Sequence, residues 1–261
     1  MTTVRPFAVI TGASRGIGAE YARALAERGY DLLLVGRDRA KLEGVAAELR
    51  DRHGASAETL ALDLSEANAA HRLFAAARER RPAVDLLINN AGFGLFGDFV
   101  SHPMPKIQAM LRLHIDAAVE SCRLFLPGMI ERRSGAIINV ASTAGFMSIA
   151  YLAEYAATKA FLIAFSEAVA EEVRESDVCI QVCCPGTTAT DFHATAGRQP
   201  KNPFRTQTAR EVVEASLGQL GNGRTTVTTH WSGSLTDFLG RWVPRRLLTR
   251  HTAKWMKSAL R

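Results

Sequence analysis

The sequence has little of what metal-binding, disulfide-linked or membrane-spanning proteins need. Its 261 residues include four cysteines, at positions 122, 179, 183 and 184, and no Cys-x-x-Cys pair. Because neither a zinc site nor a disulfide framework fits this spacing, we expect reduced thiols and no bound metal. The most apolar long stretch, 150–173, contains five charged residues, too many for a spanning helix. The first ten residues lack a secretory signal pattern, so we expect a cytoplasmic protein.

Acidic residues are absent from the end of the chain. Residues 241–261 carry seven Lys or Arg and no Asp or Glu, while the formal net charge of the whole chain is +6. The rest of the chain is therefore close to neutral. A protein that binds nucleic acid spreads basic charge over its body, so we expect no nucleic-acid partner. A content of 47% hydrophobic and 22% charged residues also excludes intrinsic disorder.

Short apolar runs alternate with helical patterns along the sequence. The runs are mostly continuous, which is typical of parallel strands covered on both faces. We predict one domain over residues 1–261, an α/β doubly wound Rossmann fold with a mostly parallel seven-stranded sheet and helices on both faces. The predicted strands are 7–10, 31–35, 59–62, 84–88, 136–140, 178–183 and 225–229, and the predicted helices include 18–28, 39–52, 66–79, 104–132, 152–175 and 209–220.

The segment 191–220 interrupts this alternation. Gly197, Pro200, Asn202 and Pro203 precede the predicted helix that begins at about residue 209. A long irregular insertion in a compact fold is usually a functional lid or a disordered loop. We predict a lid, and a floppy surface loop is the alternative.

Three glycines mark the turn after the first predicted strand. Gly12, Gly16 and Gly18 lead directly into the first predicted helix. Glycine lets the backbone pass close to a pyrophosphate, and the N–H groups at a helix N-terminus bind such an anion. The spacing is not the Gly-x-Gly-x-x-Gly of many dinucleotide folds, but its place between strand and helix indicates a phosphate site.

Tyr155 and Lys159 stand four residues apart in a predicted helix, so their side chains share one face. A tyrosine hydroxyl titrates near pH ~10, and a neighbouring ammonium favours its ionised form. Lowering that pKa by ~2 to 3 units requires about 3 to 4 kcal/mol. The pair therefore predicts proton exchange at neutral pH.

Arginine stands where the second predicted strand ends, at Gly36-Arg37. A carboxylate there would bind both ribose hydroxyls of a dinucleotide and repel a 2′-phosphate, whereas a guanidinium attracts the phosphate. Arg15 in the glycine turn is a second cation within the same region. We predict that these arginines select a dinucleotide with a 2′-phosphate. Solvated surface charge, or competition by Asp38, is the alternative.

The chain resembles the short-chain dehydrogenase/reductase family, whose members open with Thr-Gly-x-x-x-Gly-Ile-Gly. The resemblance extends through Asp63-Leu64, Asn89-Asn90-Ala91-Gly92, Ser142, Tyr155-x-x-x-Lys159 and Pro185-Gly186-Thr187-Thr188-Ala189-Thr190. It implies hydride transfer between NADP(H) and a carbonyl or alcohol, with Tyr155 as general acid/base, Lys159 as modifier of its pKa and ribose anchor, and Ser142 as partner of the reacting oxygen. A non-catalytic NADP(H)-binding redox sensor or membrane-surface scaffold is the competing class.

The resemblance also implies where the cofactor lies. Asp63 is expected near the adenine, Asn90 to Gly92 near the adenosine ribose, Thr188 near the nicotinamide carboxamide and Thr190 near the phosphates. The full set of expected cofactor-binding residues is Gly12, Ser14, Arg15, Gly16, Ile17, Gly18, Arg37, Asp63, Leu64, Asn90, Ala91, Gly92, Tyr155, Lys159, Pro185, Gly186, Thr188 and Thr190.

One position departs from the family pattern. Family members usually carry an asparagine in the long helix before the fifth strand, where it holds a water that relays protons to the lysine; the aligned residue here is His114. A histidine could replace that anchor and titrate near neutrality, so we count His114 as a catalytic candidate. A hydrogen-bonded core histidine is the equally weighted alternative.

Apolar residues in the loops after the motifs indicate the substrate. Phe93, Leu95 and Phe96, then Phe146 and Met147, and finally Phe192 surround the expected reaction centre. They favour a small apolar ketone, aldehyde or secondary alcohol. Aromatic residues that merely seal the core are the alternative.

The tail 231–261 shows two amphipathic helical faces separated by Pro244. The first contains Trp231, Leu235, Phe238 and Trp242, and the second lies beside the seven cations. We favour cover for the substrate pocket or contact between subunits of a homo-oligomer, because the same face could bury on the body of the protein. Peripheral contact with an anionic membrane surface is the alternative.

Overall fold

The computed structural model describes residues 5–190 and 206–260, with side chains described as far as residue 258. Seven parallel strands form one sheet in the order β3-β2-β1-β4-β5-β6-β9. These strands are β1 Phe7–Thr11, β2 Asp31–Gly36, β3 Ala57–Ala61, β4 Leu86–Asn89, β5 Ala136–Val140, β6 Cys179–Cys184 and β9 Thr226–Thr228. The predicted doubly wound α/β fold is confirmed. A separate parallel pair joins β7 Thr188–Ala189 to β8 Gln207–Thr208.

Helices cover both faces of the sheet, as the continuous apolar strands predict. The helices are α1 Gly16–Glu27, α2 Arg39–His53, α3 Ala69–Arg80, α4 Met104–Leu111, α5 Ala117–Glu131, α6 Ala153–Glu172, α7 Ala209–Leu217, α8 Trp231–Trp242 and α9 Arg245–Leu260. Alternate residues of β1 divide between the two layers: Ala8 and Ile10 pack with α1, α2 and α7, whereas Phe7 and Val9 pack with α3 and α5. Each of these four side chains therefore lies in a core.

The predicted helix over 104–132 contains a feature that its spacing does not reveal. Residues 112–116, between α4 and α5, form one turn of π-helix, and His114 lies in it. A π-turn inserts an extra residue into the helical ladder and changes which side chains face inward. Here it places His114 inside the protein, 1% exposed.

Contacts between side chains and backbone help to set where two of the predicted helices begin. The predicted helix over 66–79 begins at residue 69, after Asn68 in a left-handed conformation (φ 58°). Before it, the carboxylate of Asp63 accepts from both the N–H and the hydroxyl of Ser65 and so fixes a turn. Helix α7 begins at its predicted position because Thr208 and Glu211 form a reciprocal capping box.

The segment 191–220 and the C-terminal tail were each predicted to have a distinct structure. The predicted lid over 191–220 falls partly outside the described residues, which resume at 206 and include β8 and α7. The break at Pro244 is confirmed, since α8 ends at Trp242 and α9 begins at Arg245. Within the described ranges, no helix has the length and apolar character to cross a membrane.

Candidate active site

The strand order reverses between β1 and β4: the chain continues from β1 to β2 on one side, and from β4 to β5 on the other. Open α/β sheets bind ligands in the crevice at this point, beyond the carboxyl ends of the strands. A cleft of about 630 Å³ lies there. It is lined by the turn after β1, the loops after β4, β5 and β6, and parts of α6, α8 and α9.

The glycine turn depends on close approach of backbone and side chain. Gly12 and Gly16 have φ values of 68° and 57°, which favour glycine, and a Cβ on Gly18 would lie 2.3 Å from the Gly12 carbonyl oxygen. The amide of Asn90 donates to the carbonyl oxygens of Thr11 (2.9 Å) and Gly12 (3.3 Å). The turn after β1 is therefore tied to the loop after β4.

The N-terminus of α1 is open to an anion. Arg15 occupies the N-cap without a side-chain capping bond, and the first turn contains no acidic residue. The free N–H groups of the first turn of α1 and the positive end of its dipole are consequently available to an anion in the cleft, without competition from a carboxylate. The residues present fit the pyrophosphate of a dinucleotide.

The second strand ends at the other side of the same cleft. The Arg37 side chain is exposed, with its guanidinium 3.8 Å from the Asp63 carboxylate. Asp38 is engaged elsewhere, because its carboxylate caps α2 through the Lys41 N–H (3.1 Å) and pairs with the Lys41 ammonium. Although burial raises the pKa of Asp63, hydrogen bonds from Ser65 and the charge of Arg37 bring it below its ordinary value.

The expected cofactor residues lie together in the cleft. Gly18 underlies the turn instead of lining the cleft. All the other expected cofactor-binding residues line the cleft: Gly12, Ser14, Arg15, Gly16, Ile17, Arg37, Asp63, Leu64, Asn90, Ala91, Gly92, Tyr155, Lys159, Pro185, Gly186, Thr188 and Thr190.

Strand β5 and helix α6 bring Ser142, Tyr155 and Lys159 together. Ser142 follows β5, and its hydroxyl accepts from the Ala144 N–H (3.1 Å) and forms a hydrogen bond with Tyr155. The Lys159 ammonium donates to the Val140 carbonyl oxygen (2.8 Å) and lies 5.6 Å from the centre of the Tyr155 ring.

Gly145 permits this arrangement. A Cβ there would lie 2.7 Å from the carbonyl carbon of Lys159, so only glycine lets the turn over 143–146 reach the backbone of α6. The sequence, which marks Ser142 and Tyr155 as the functional positions, gives no sign of this contact.

Burial dominates the electrostatics of the pair. It raises the pKa of Tyr155 to about 12, with the hydrogen bond to Ser142 acting in the lowering direction. Burial also lowers the pKa of Lys159 to about 8. The direction for Tyr155 is opposite to the sequence prediction, because the phenol is buried and the ammonium of Lys159 is directed at Val140.

His114 is held by two hydrogen bonds. Its Nε2 accepts from the Phe93 N–H (3.1 Å), and its Nδ1 lies 2.9 Å from the Thr158 hydroxyl, which donates to the Tyr155 carbonyl (2.8 Å). The ring proton must therefore sit on Nδ1, and the ring is neutral. Burial, and then the charge of Lys159, lower its pKa well below 6.5.

This geometry corrects the expectation that His114 titrates near neutrality. Both ring nitrogens bind protein groups, so the alternative interpretation, a satisfied core histidine, describes it better. The ring joins the loop after β4 to α6 beside Tyr155. Gly92 leaves room for it, because a Cβ there would lie 2.8 Å from Nε2.

The substrate side of the cleft is apolar. Phe96 and Met147 line it as predicted, and Phe93 and Leu95 pack in the cluster around Tyr155. Phe146 packs against the cluster that contains Ala141 and Leu162 and is not part of the cleft lining, and Phe192 lies outside the described residues. The apolar lining also includes Leu239, Trp255 and Met256, from the tail that was predicted to cover the pocket. It further includes Ile149 and Leu152, which the sequence analysis did not assign.

The fold and the cleft define a dinucleotide-binding α/β protein, and comparisons with known proteins identify its family. The family model for short chain dehydrogenase matches residues 6–201. A very-long-chain 3-oxoacyl-CoA reductase of Laccaria bicolor is 31% identical over 238 residues, which cover 89% of this chain and 70% of that protein. The chain belongs to the short-chain dehydrogenase family and is an oxidoreductase that acts on a carbonyl or alcohol group.

Solved structures agree with this assignment. A short-chain dehydrogenase from Sphingobium yanoikuyae in complex with NADPH is 30% identical, with a TM-score of 0.81 over 92% of this chain and 98% of that one. A short-chain dehydrogenase/reductase from Burkholderia phymatum in complex with NAD is 25% identical, with a TM-score of 0.81 over 92% of this chain and 94% of that one. A nicotinamide cofactor is common to both.

Replacement of His114 tests its assignment as a structural histidine. We expect His114→Asn to lower the free energy of unfolding by ~1 to 3 kcal/mol, because buried hydrogen bonds are lost. The acid limb of the pH–rate profile should not move, since burial holds the pKa of His114 well below its ordinary value. Its lowered pKa also makes wild-type stability fall as the pH drops below about 6.5, the unfolded value, and the variant should lack this contribution.

Urea unfolding at several pH values and steady-state kinetics check these expectations. His71→Asn is the matched control, because His71 is exposed on α3. A displaced acid limb in His114→Asn but not in His71→Asn would instead show that His114 carries a proton during turnover.

Proposed function

We propose that the protein interconverts an apolar ketone or aldehyde and its alcohol with NADP(H), using Tyr155 as general acid/base. One observation carries the proposal: Ser142, Tyr155 and Lys159 converge at the junction of a phosphate-binding turn and an apolar pocket. A redox sensor would need the turn but not a proton donor beside the pocket, so the non-catalytic alternative is not favoured.

The chemistry divides between cofactor and protein. The reduced nicotinamide, when bound, supplies the hydride for the carbonyl carbon. The Tyr155 hydroxyl gives its proton to the carbonyl oxygen, so that C=O becomes CH–OH. The Ser142 hydroxyl donates a hydrogen bond to the same oxygen and stabilises the charge that develops there. Alcohol oxidation uses the same groups in reverse.

Lys159 serves the tyrosine and the cofactor. Burial lowers its pKa to about 8, so a large fraction is still charged at neutral pH. That charge stabilises the tyrosinate left after proton transfer, and the remaining N–H donors suit a ribose hydroxyl. The Val140 carbonyl fixes its position from the strand side.

The apolar lining supports a substrate with an extended hydrocarbon part. Phe96, Ile149 and Leu152 pack in one cluster with Tyr155, and Trp255 and Met256 of α9 belong to the same cluster and line the cleft. Relatives named for 3-oxoacyl-CoA reduction support a 3-oxoacyl thioester as the first candidate within this class.

Two arginines support NADP(H) over NAD(H). Arg37 is exposed at the end of β2, and Arg15 stands at the N-cap of α1; both line the cleft. The carboxylate that could repel a 2′-phosphate, Asp38, is occupied as the cap of α2. A planar guanidinium pairs well with phosphate oxygens.

Three further expectations stay predictions from the sequence. They are a single domain over residues 1–261, a cytoplasmic location and assembly into a homo-oligomer.

Reversal of charge at Arg37 tests the cofactor choice. We expect Arg37→Asp to raise the Kd of NADPH at least about tenfold, a loss of ~1.4 kcal/mol, and to change that of NADH much less. Fluorescence titration measures both constants. Arg52→Asp, an equal charge change at an exposed position near the far end of α2, should leave both Kd values unchanged. Equal losses for both cofactors, or tighter binding of NADH by the wild type, would refute the preference.

Removal of the phenolic hydroxyl tests the proton donor. We expect Tyr155→Phe to lower kcat by at least ~10²-fold while the Kd of NADPH stays unchanged, because general acid catalysis is lost and the ring is kept. Oxidation of NADPH with a panel of apolar ketones and 3-oxoacyl thioesters provides the measurement. Tyr151→Phe is the control, since Tyr151 packs in the same apolar cluster. Full turnover by Tyr155→Phe is incompatible with the assignment.

A further inference from the structure

Helix α8 has its large apolar side chains on the outside. Trp231, Leu235, Phe238 and Trp242 are 64%, 39%, 57% and 74% exposed, and their spacing places them on one side of the helix. We call these four residues the aromatic ridge. The sequence predicts that the tail covers the substrate pocket or contacts a second subunit. Residues of α8 and α9 do line the cleft, whereas these four side chains of α8 are exposed to solvent.

Small residues on the inner side explain this orientation. A Cβ on Gly233 would lie 3.0 Å from Thr143 and Thr228, and a Cβ on Gly240 would lie 2.2 Å from the Phe146 carbonyl oxygen. Only this glycine-containing face can pack so closely on the body, so the ridge must face outward. A contiguous exposed apolar surface of this kind marks an interaction site.

Helix α9 carries charge on its outer face. Arg246, Arg250, Lys254 and Lys257 are exposed and recur every three or four residues. We call these four residues the cationic stripe. Over the described ranges, no acidic side chain lies within ion-pair distance of them, and residues 241–261 contain no Asp or Glu. The stripe is therefore uncompensated positive charge.

We propose that α8 and α9 dock the protein on an anionic lipid surface. The ridge places two tryptophans and a phenylalanine where apolar rings enter the boundary between headgroups and acyl chains. The stripe supplies the attraction to acidic headgroups. Neither helix spans the membrane, so the contact is peripheral.

Charge complementarity favours lipid over a second copy of this chain. Most homodimers use the same patch on both subunits, related by a two-fold axis. Such an arrangement would bring two cationic stripes, with no acidic residue in residues 241–261 of either chain, close together. An anionic lipid surface neutralises the same charge without that repulsion.

The inner sides of the same helices reach the cleft. Thr236 and Leu239 of α8, and Trp255 and Met256 of α9, line it. The Thr252 hydroxyl also donates to the Ser148 carbonyl (3.3 Å), which ties α9 to the loop after β5. The docked helices would therefore lie between the lipid and the reaction centre. An apolar substrate could then pass from the lipid into the cleft beside them, an inference that rests on the proposed function.

Co-sedimentation with vesicles tests whether α8 and α9 bind lipid, and it requires no measurement of enzymatic activity. We expect the full chain to bind vesicles of phosphatidylglycerol mixed with phosphatidylcholine, to bind pure phosphatidylcholine weakly, and to be released by salt. Replacement of the cationic stripe by glutamine should weaken binding at least about tenfold. Trp231→Ser with Trp242→Ser should weaken it at low salt as well, since the ridge contributes apart from charge.

A matched variant separates a specific dock from general charge. Arg72, Arg78, Arg174 and Arg224 are exposed outside α8 and α9, and their replacement by glutamine should leave vesicle binding unchanged. Equal loss in this control, or no binding by the wild type, would overturn the proposal. Sedimentation equilibrium showing a dimer that the ridge variant dissociates, without vesicle binding, would overturn it in favour of a second copy.

Cofactor binding and lipid binding can fail independently. The ridge and stripe residues do not line the cleft, so their variants should keep wild-type affinity for NADPH and wild-type turnover of a water-soluble ketone. Absence of turnover by the wild type, with vesicle binding retained, would count against the proposed function alone. Thermal unfolding by circular dichroism confirms that each variant is folded.

Discussion

The buried ammonium of Lys159 is the interaction on which the arrangement of the site depends. A charged group that is only 4% exposed must have a partner, and the Val140 carbonyl at the end of β5 provides one. This contact holds α6 against the sheet at the point where the strand ends. Ser142, two residues beyond Val140, and Tyr155, one turn before Lys159, consequently meet. The meeting of these three side chains thus follows from how a buried cation is satisfied.

The histidine beside this group shows how a departure from a family pattern is absorbed. A π-turn carries His114 into the interior, where its two nitrogens connect Phe93 to Thr158. The loop after β4 and α6 are thereby coupled through one neutral ring. A residue that titrates near neutrality in water has become a structural link, because burial penalises its charged form.

The two C-terminal helices, α8 and α9, each have one side toward the cleft and one side toward solvent. Their inner sides complete the apolar wall of the cleft, whereas the outer sides carry exposed aromatic and cationic residues. Gly233 and Gly240 set the orientation of α8 by allowing close packing on the loop after β5 and on β9. An amphipathic pattern alone specifies two faces and cannot tell which one is covered, since that depends on the shape of the opposing surface.

The sequence by itself determined the doubly wound fold, the glycine turn and the shared helical face of Tyr155 and Lys159, because period, glycine placement and helical spacing are local properties. Ser142 came from the resemblance to a family. Only the tertiary structure decided the π-turn at His114, the raised pKa of Tyr155 and the outward direction of Trp231 and Trp242. Each of these depends on burial or on steric fit between segments distant in the chain. Solvation and close packing arise only when those segments meet, so no local pattern could encode them.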